Sequence, residues 1–523
     1  MEDVTNRIVG AAKNYERGVG LLQRANVIFD DIEDSINQRI AIRSLSGSLA
    51  RAGLMSEARK LQVRMRDQDD EHAVGIIQAD IAKSKAKQGQ TFEADWEAQK
   101  ISDDSQQAYA RRDLIAEKIK AGKFDEAIDD IGFLKDRDLV LELYCDLAEE
   151  AARRHHSSTA KFFQLAHKAA EQFLPYKFNG ILVDDHPYSF FLNAYRAAGR
   201  EHDIIDLIMG EKDLVRDLLL KEMVERWTFG EEKNFSLVLS LAERIDAPLE
   251  RASTFASIAL FQSFAKVDED AALAEAERAL AQADASCELY PDHIDMVRAE
   301  IAKAKSFKDP EAALLEAEDN SVSDLLSLEV SAVRSYADSG DYEKALEVAH
   351  KLYGIDRVQA FEYIALSHML DGNRDKACET LNNIVDASTR LSACASLIST
   401  LTFRKDFGVM YVPEFFSIAH EAYEEISDTH TRDKAHVSYI RICARIGECL
   451  VALSRNTIGA VREKEGITEI SKLFCQKAKE RDRIFLLCLA HLFTDEEKKT
   501  ILKKVRKADI LYVQEIFHLS QNL

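Results

Sequence analysis

Six times along the chain a glycine is followed five residues later by an alanine, with charged or polar residues between: Gly53 and Ala58, Gly89 and Ala94, Gly122 and Ala127, Gly340 and Ala345, Gly372 and Ala377, Gly447 and Ala452. Glycine permits the sharp turn that closes one helix before the next. Alanine is small enough to let the second helix pack close against the first. Intervals of 36, 33 and 32 residues (Gly53 to Gly89, Gly89 to Gly122, Gly340 to Gly372) match stacked helical hairpins. The same frame, with a small residue five positions on, accepts His155 with Ala160, Lys266 with Ala271 and Lys308 with Ala313, and loosely Lys13 with Gly18. Gly199 and Gly230 fall at suitable intervals, although Ile204 and Phe235 occupy their small-residue places. The expectation is an all-α, superhelical solenoid of roughly twelve antiparallel helical hairpins, which nearly fills the 523 residues.

The run Gly340-Asp341-Tyr342-Glu343-Lys344-Ala345-Leu346 resembles the turn and second-helix start of a tetratricopeptide repeat, and Gly122-Lys123-Phe124-Asp125-Glu126-Ala127-Ile128 is similar. The resemblance implies units of two antiparallel helices stacked into a right-handed superhelix whose inner groove holds peptides or partner proteins. The proline that usually closes such a unit is mostly missing, because the chain has only 6 prolines, and the first-helix tryptophan position is seldom aromatic. The chain therefore reads as a divergent member of that class.

Between units the chain runs from an aliphatic residue to an aspartate and then, four or five residues on, to an arginine: Asp34 to Arg39, Asp246 to Arg251, Asp386 to Arg390, Asp428 to Arg432. The aspartate is suited to cap the next helix, where its carboxylate accepts free backbone N–H groups at the positive end of the dipole. The arginine then falls about one turn in, within reach of the aspartate or of a carbonyl of the previous unit.

Composition points to a cytoplasmic scaffold. Hydrophobic residues make up 46% and charged residues 31%, and no apolar run approaches the ~20 residues needed to cross a bilayer. The opening Met-Glu-Asp-Val-Thr-Asn-Arg lacks the apolar core of a secretory leader. The 8 cysteines are scattered singly and read as small buried apolar residues rather than a disulfide framework. Net charge is −22, unevenly spread: residues 471–523 carry 11 Lys or Arg against 7 Asp or Glu, which leaves −26 on residues 1–470. So acidic a body opposes nucleic-acid binding. The expected organisation is a repeat body over 1–470 and basic capping helices over 471–523 that continue it. Lys498, Lys499, Lys503, Lys504, Arg506 and Lys507 interleave there with Ile501, Leu502 and Val505 at helical spacing, as a polar outer cap or as a docking face for an acidic partner or membrane.

Motifs of catalysis are missing: no phosphate-cradling glycine loop, no His-Glu-x-x-His, no Gly-x-Ser-x-Gly. His155-His156 sits at an expected turn without other ligands at metal spacing. His430 and His436 flank Arg432 and Lys434, whose charge repels a cation. No catalytic residue, metal or cofactor is expected. Two stretches interrupt the repeat register. Residues 173–191 bring two prolines and a cluster of aromatics, and residues 407–416 are irregular as well. Aromatics on such insertions serve either as interface anchors or as plugs where stacking is interrupted; the candidates are Tyr176, Phe178, Tyr188, Phe190, Tyr411 and Phe415. The expected function is a non-catalytic protein-interaction scaffold. The alternatives are an effector with a cryptic active site and a factor that docks through its basic end.

Overall fold

The computed structural model describes residues 2–171, 187–228, 235–265, 267–286, 291–319, 325–403, 412–465, 467–480, 486, 489–490, 493–506 and 509–521. Every regular element among them is a helix. After α1 (Glu2–Phe29), long first helices alternate with mostly shorter second helices: α2 (Ser35–Arg51) with α3 (Met55–Asp67), α4 (Glu71–Lys87) with α5 (Thr91–Gln99), α6 (Asp104–Lys120) with α7 (Phe124–Ile131), and α8 (Arg137–Arg153) with α9 (Thr159–Ala170). The alternation continues with α10 (Pro187–Ala197) and α11 (Glu201–Met209), α12 (Asp213–Thr228) and α13 (Phe235–Ala242), α14 (Pro248–Phe264) and α15 (Asp270–Ser286), and α16 (Pro291–Ser306) and α17 (Pro310–Asp319). It ends with α18 (Leu325–Asp338) and α19 (Tyr342–Lys351), α20 (Gly354–Leu370) and α21 (Arg374–Asn382), and α22 (Ala387–Phe403) and α23 (Val412–Glu425). Then come α24 (Thr429–Glu465), α25 (Ile467–Glu480), α26 (Asp495–Lys504) and α27 (Ile510–Gln521). The described residues thus contain eleven consecutive hairpins, an all-α repeat array.

The glycine frame is legible in backbone angles. Gly53, Gly89, Gly122, Gly340 and Gly372 all have φ between 75° and 83°, the left-handed conformation that ends a helix cheaply only at glycine. In each, the next residue returns its N–H to a carbonyl five residues back, as Leu54 does to Leu49 at 2.8 Å and Asn373 to His368 at 2.8 Å. His155 takes the same role with φ 52°, and His156 bonds the Ala151 carbonyl at 2.8 Å. Ala58, Ala94, Ala127, Ala345 and Ala377 are all completely buried. Lys266 and Gly230 lie outside the described residues, and Lys308 sits in the turn between α16 and α17.

Two members of the frame are not turns. Gly18 lies inside α1 and Gly447 inside α24, and Ala452 is exposed. These glycines meet each other: a Cβ on either would lie 2.7 Å from the other's carbonyl oxygen. Small size there serves contact between helices, not a reversal of the chain.

The chain divides into two compact units: residues 1–114 with 378–523, and residues 115–377. This division does not follow the charge boundary near 470. In the first unit, α24 packs against α22 and α2 as the first helix of one hairpin packs against its neighbours, and α1 packs along α24. Contacts of Gly18 with Gly447 and of Arg24 with Tyr439 run in opposite chain directions, so the pair is antiparallel. A further hairpin is therefore built from segments about 400 residues apart. Glu448 fastens it, accepting from Arg51 Nε at 2.6 Å, Arg51 Nη2 at 2.9 Å and Ser48 Oγ at 3.0 Å. Arg455 Nη2 donates to the Ala52 carbonyl at 2.7 Å, and Asp433 accepts the Asp34 N–H at 2.8 Å.

The second unit is built on a continuous core that runs from Ile115 to Ala304 and includes Phe162, Phe191 and Trp227. Five of the six prolines open helices, at the first position of α10, α14, α16 and α17 and the second of α23. There the missing N–H costs nothing and the fixed φ suits the helix. The sixth, Pro175, lies outside the described residues.

Candidate functional site

The turns between hairpins carry a recurring side-chain device. Asp34, Asp103, Asp386 and Asp428 cap α2, α6, α22 and α24 by accepting the backbone N–H three residues on, at 2.8, 2.8, 2.6 and 3.0 Å. Four residues past each aspartate, Gln38, Gln107, Arg390 and Arg432 reach back to the carbonyls of Ile32, Ile101, Ile384 and Ile426, at 2.6, 3.0, 3.0 and 2.5 Å. The second unit repeats the bond between Arg251 and Ile245 at 3.3 Å. Two expected residues are out of register. Arg39 pairs with Asp70 at 2.8 Å, the cap of α4, because Gln38 already occupies the back-reaching position. Asp246 caps nothing, since Ala247 is the N-cap before Pro248, and it pairs instead with Arg216 at 2.6 Å.

Buried ionisable groups are mostly satisfied within the protein. Glu97, with a side chain 3% exposed, meets Arg59 at 2.5 Å and Lys85 at 2.8 Å and accepts from Gln78 at 2.7 Å. Burial raises its carboxyl, but Lys85 and Arg59 outweigh that and hold it below the usual carboxylate range. Around α24, Tyr423 stacks on Tyr439 at 4.3 Å between centroids. The Arg432 guanidinium lies 4.3 Å from the Tyr423 ring centre, and the Tyr423 hydroxyl bonds His436 at 2.9 Å. Burial, then the Arg432 charge, pushes the His436 imidazole below its ordinary value. The His436 ring is thereby kept neutral as a packing residue. Cys394 and Cys443 are buried, and burial pushes both thiols up to about 12, far from reactive.

The candidate aromatics fall as follows. Tyr176, Phe178 and Tyr411 lie outside the described residues. Tyr188 and Phe190 belong to helix α10, not to a loop, and pack half-buried against the core of the second unit. Phe415 belongs to α23 and is completely buried, so no partner reaches it while that helix is packed. The expected loops extend too far because a proline suggests a break, whereas Pro187 is the first residue of α10 and Pro413 the second of α23. At the basic end, Ile501 and Val505 are buried while Lys503, Lys504 and Arg506 face outward. Lys499 pairs with Glu496 and Arg506 with Asp509.

One site has groups with no partner among the described residues. In the second unit, the end of α7, the start of α8 and the end of α9 enclose an open groove of about 350 Å³. Its lining is mixed: Ile131, Leu134, Val140, Leu165 and Ala169 supply the apolar part, and polar atoms supply the larger share of the exposed surface. Lys135, Arg137 and Lys168 stand exposed at its rim. Among the described residues none of the three finds an ion pair or side-chain hydrogen bond, and no acidic residue lines the groove. The Tyr144 ring forms one wall; burial raises its phenol, and its hydroxyl has no hydrogen-bond partner among the described residues. Asp136, between the two cationic rim residues, spends its carboxylate capping α8, accepting from Asp138 N at 3.0 Å and Leu139 N at 3.3 Å. Sequence reading misses this site because its lining comes from residues 131–144 and 165–169, which only the fold brings together.

Among the described residues no group of histidine, cysteine and carboxylate side chains is arranged to hold a metal, and no helix is long and apolar enough to cross a membrane. No family model matches the chain, and a search of curated proteins finds no match. Among solved structures the chain is similar to one described as a circular tandem repeat protein with novel repeat topology and enhanced subunit contact surfaces, at 11% identity and a TM-score of 0.14, covering 98% of this chain and 96% of that one. A likeness at that score carries no argument about fold or function.

Proposed function

We propose that the chain is a non-catalytic, tetratricopeptide-like interaction scaffold that works in the cytoplasm and receives a protein or peptide partner. The observation that carries this reading is the groove beside α8. A recess in the size range of ligand sites, with five apolar residues in its lining and three exposed cations that pair with no carboxylate among the described residues, suits a partner of complementary charge. The ionisable groups beneath the surface serve the fold instead, as with Glu97 and its two cations. The array suits this role because each hairpin leans only on its neighbours, so surface residues can vary without loss of the fold.

The test is recovery of partners by the tagged, full-length chain from its own cells, with quantification of what is bound. A protein held at a fixed ratio and resistant to washing is the expected result. Failure to retain any protein in a stable ratio would refute the scaffold reading.

A further inference from the structure

We infer that the groove enclosed by α7, α8 and α9 is the docking point for an acidic protein segment that presents an apolar side chain between carboxylates. The inference rests on the scaffold reading and specifies its ligand. Lys135, Arg137 and Lys168 surround the recess and have no counter-ion among the described residues. Val140 and Leu165, both half-buried, are apolar parts of its lining and form its floor. A simple anion would neutralise the rim and leave the floor wet. A purely apolar ligand would cover the floor and leave three cations facing it. A leucine- or phenylalanine-like side chain seated on the floor, with flanking carboxylates on the rim, satisfies both, and the Tyr144 hydroxyl offers a donor to a carboxylate or backbone carbonyl. A long polyanion such as nucleic acid is disfavoured by the −22 net charge of the whole chain.

The experiment measures fluorescence anisotropy of a short labelled peptide of aspartate, glutamate and leucine against the full-length chain. Lys135→Glu combined with Lys168→Glu should weaken binding roughly tenfold or more. Affinity should also fall steeply with added salt, because the rim charges are exposed. A matched peptide with serine in place of leucine should bind more weakly. Both lysines are exposed, so helix content and melting temperature should be unchanged; if the double reversal lowers the melting temperature, Arg137→Glu alone reads the same charge. Equal affinity for the wild-type chain and the charge variant would overturn the inference, as would equal binding of the serine peptide. Saturable binding of decanoate at the groove with no binding of the peptide would overturn it in favour of a small amphiphile. The two readings fail separately. A cellular partner retained by the charge variant sinks the groove and leaves the scaffold standing. Peptide binding without any stable cellular partner does the reverse.

Discussion

At the scale of single residues, this fold is held in register by small choices at its turns. The back-reaching side chain four residues after a capping aspartate is a case where chemistry permits two residue types. Gln38 and Gln107 do with an amide what Arg390 and Arg432 do with a guanidinium, because each needs only one N–H at the end of a chain long enough to span the turn. Arg390 also pairs with the exposed Glu425, a contact that any neutral replacement removes at small cost. Arg390→Gln should therefore lower thermal stability only slightly, whereas Arg390→Met, which keeps length and apolar packing but no donor, should cost about 1–2 kcal/mol more by orphaning the Ile384 carbonyl. Equal melting temperatures for the two variants would show that the bond does not hold the turn. Sequence reading finds three of the four capping aspartates, missing Asp103, and all three back-reaching arginines, Arg251, Arg390 and Arg432, since charge is conspicuous. It misses the glutamines because an amide in a helix carries no comparable signal. It also takes Gly447 for a turn, since a glycine and an alanine five apart arise in any long helix, and only the surrounding helical pattern distinguishes the two cases.

At the scale of elements, the pairing of α1 with α24 joins the two segments of the first unit. Its signature in the sequence is weak: two glycines in helices far apart, each unremarkable alone. Their mutual approach leaves no room for a side chain, and a Cβ on Gly447 would meet the Gly18 carbonyl oxygen and the Leu22 side chain first. Gly447→Leu should thus push α1 away from α24, and overpacking of this kind costs about 1–3 kcal/mol or more. Gly10 provides the control, because it lies on the exposed face of the same α1, and a Cβ added there would meet nothing within 4 Å. Gly10→Ala should raise stability by up to about 1 kcal/mol through helix propensity. Opposite signs for these two changes in chemical denaturation are the expected result, and a stabilising Gly447→Leu would mean the helices do not cross there.

At the scale of the whole molecule, the question is whether the two compact units are also energetic units. Repeat arrays lose strict two-state behaviour when coupling between neighbours is limited, and the first unit depends on a helix pair that the second lacks. The chain's 2 tryptophans make this measurable: Trp96 lies in the first unit and is 55% exposed, while Trp227 is buried in the core of the second. Trp96→Phe leaves Trp227 as the sole tryptophan reporter, and because Trp96 is largely solvated the change should disturb little. In that background, circular dichroism follows the helices of both units and tryptophan fluorescence follows only the second. Adding Gly447→Leu should then move part of the circular dichroism transition to lower denaturant while the Trp227 midpoint stays in place. If both signals shift together, the chain unfolds as one cooperative body, and stability lost at the α1–α24 pair is lost everywhere.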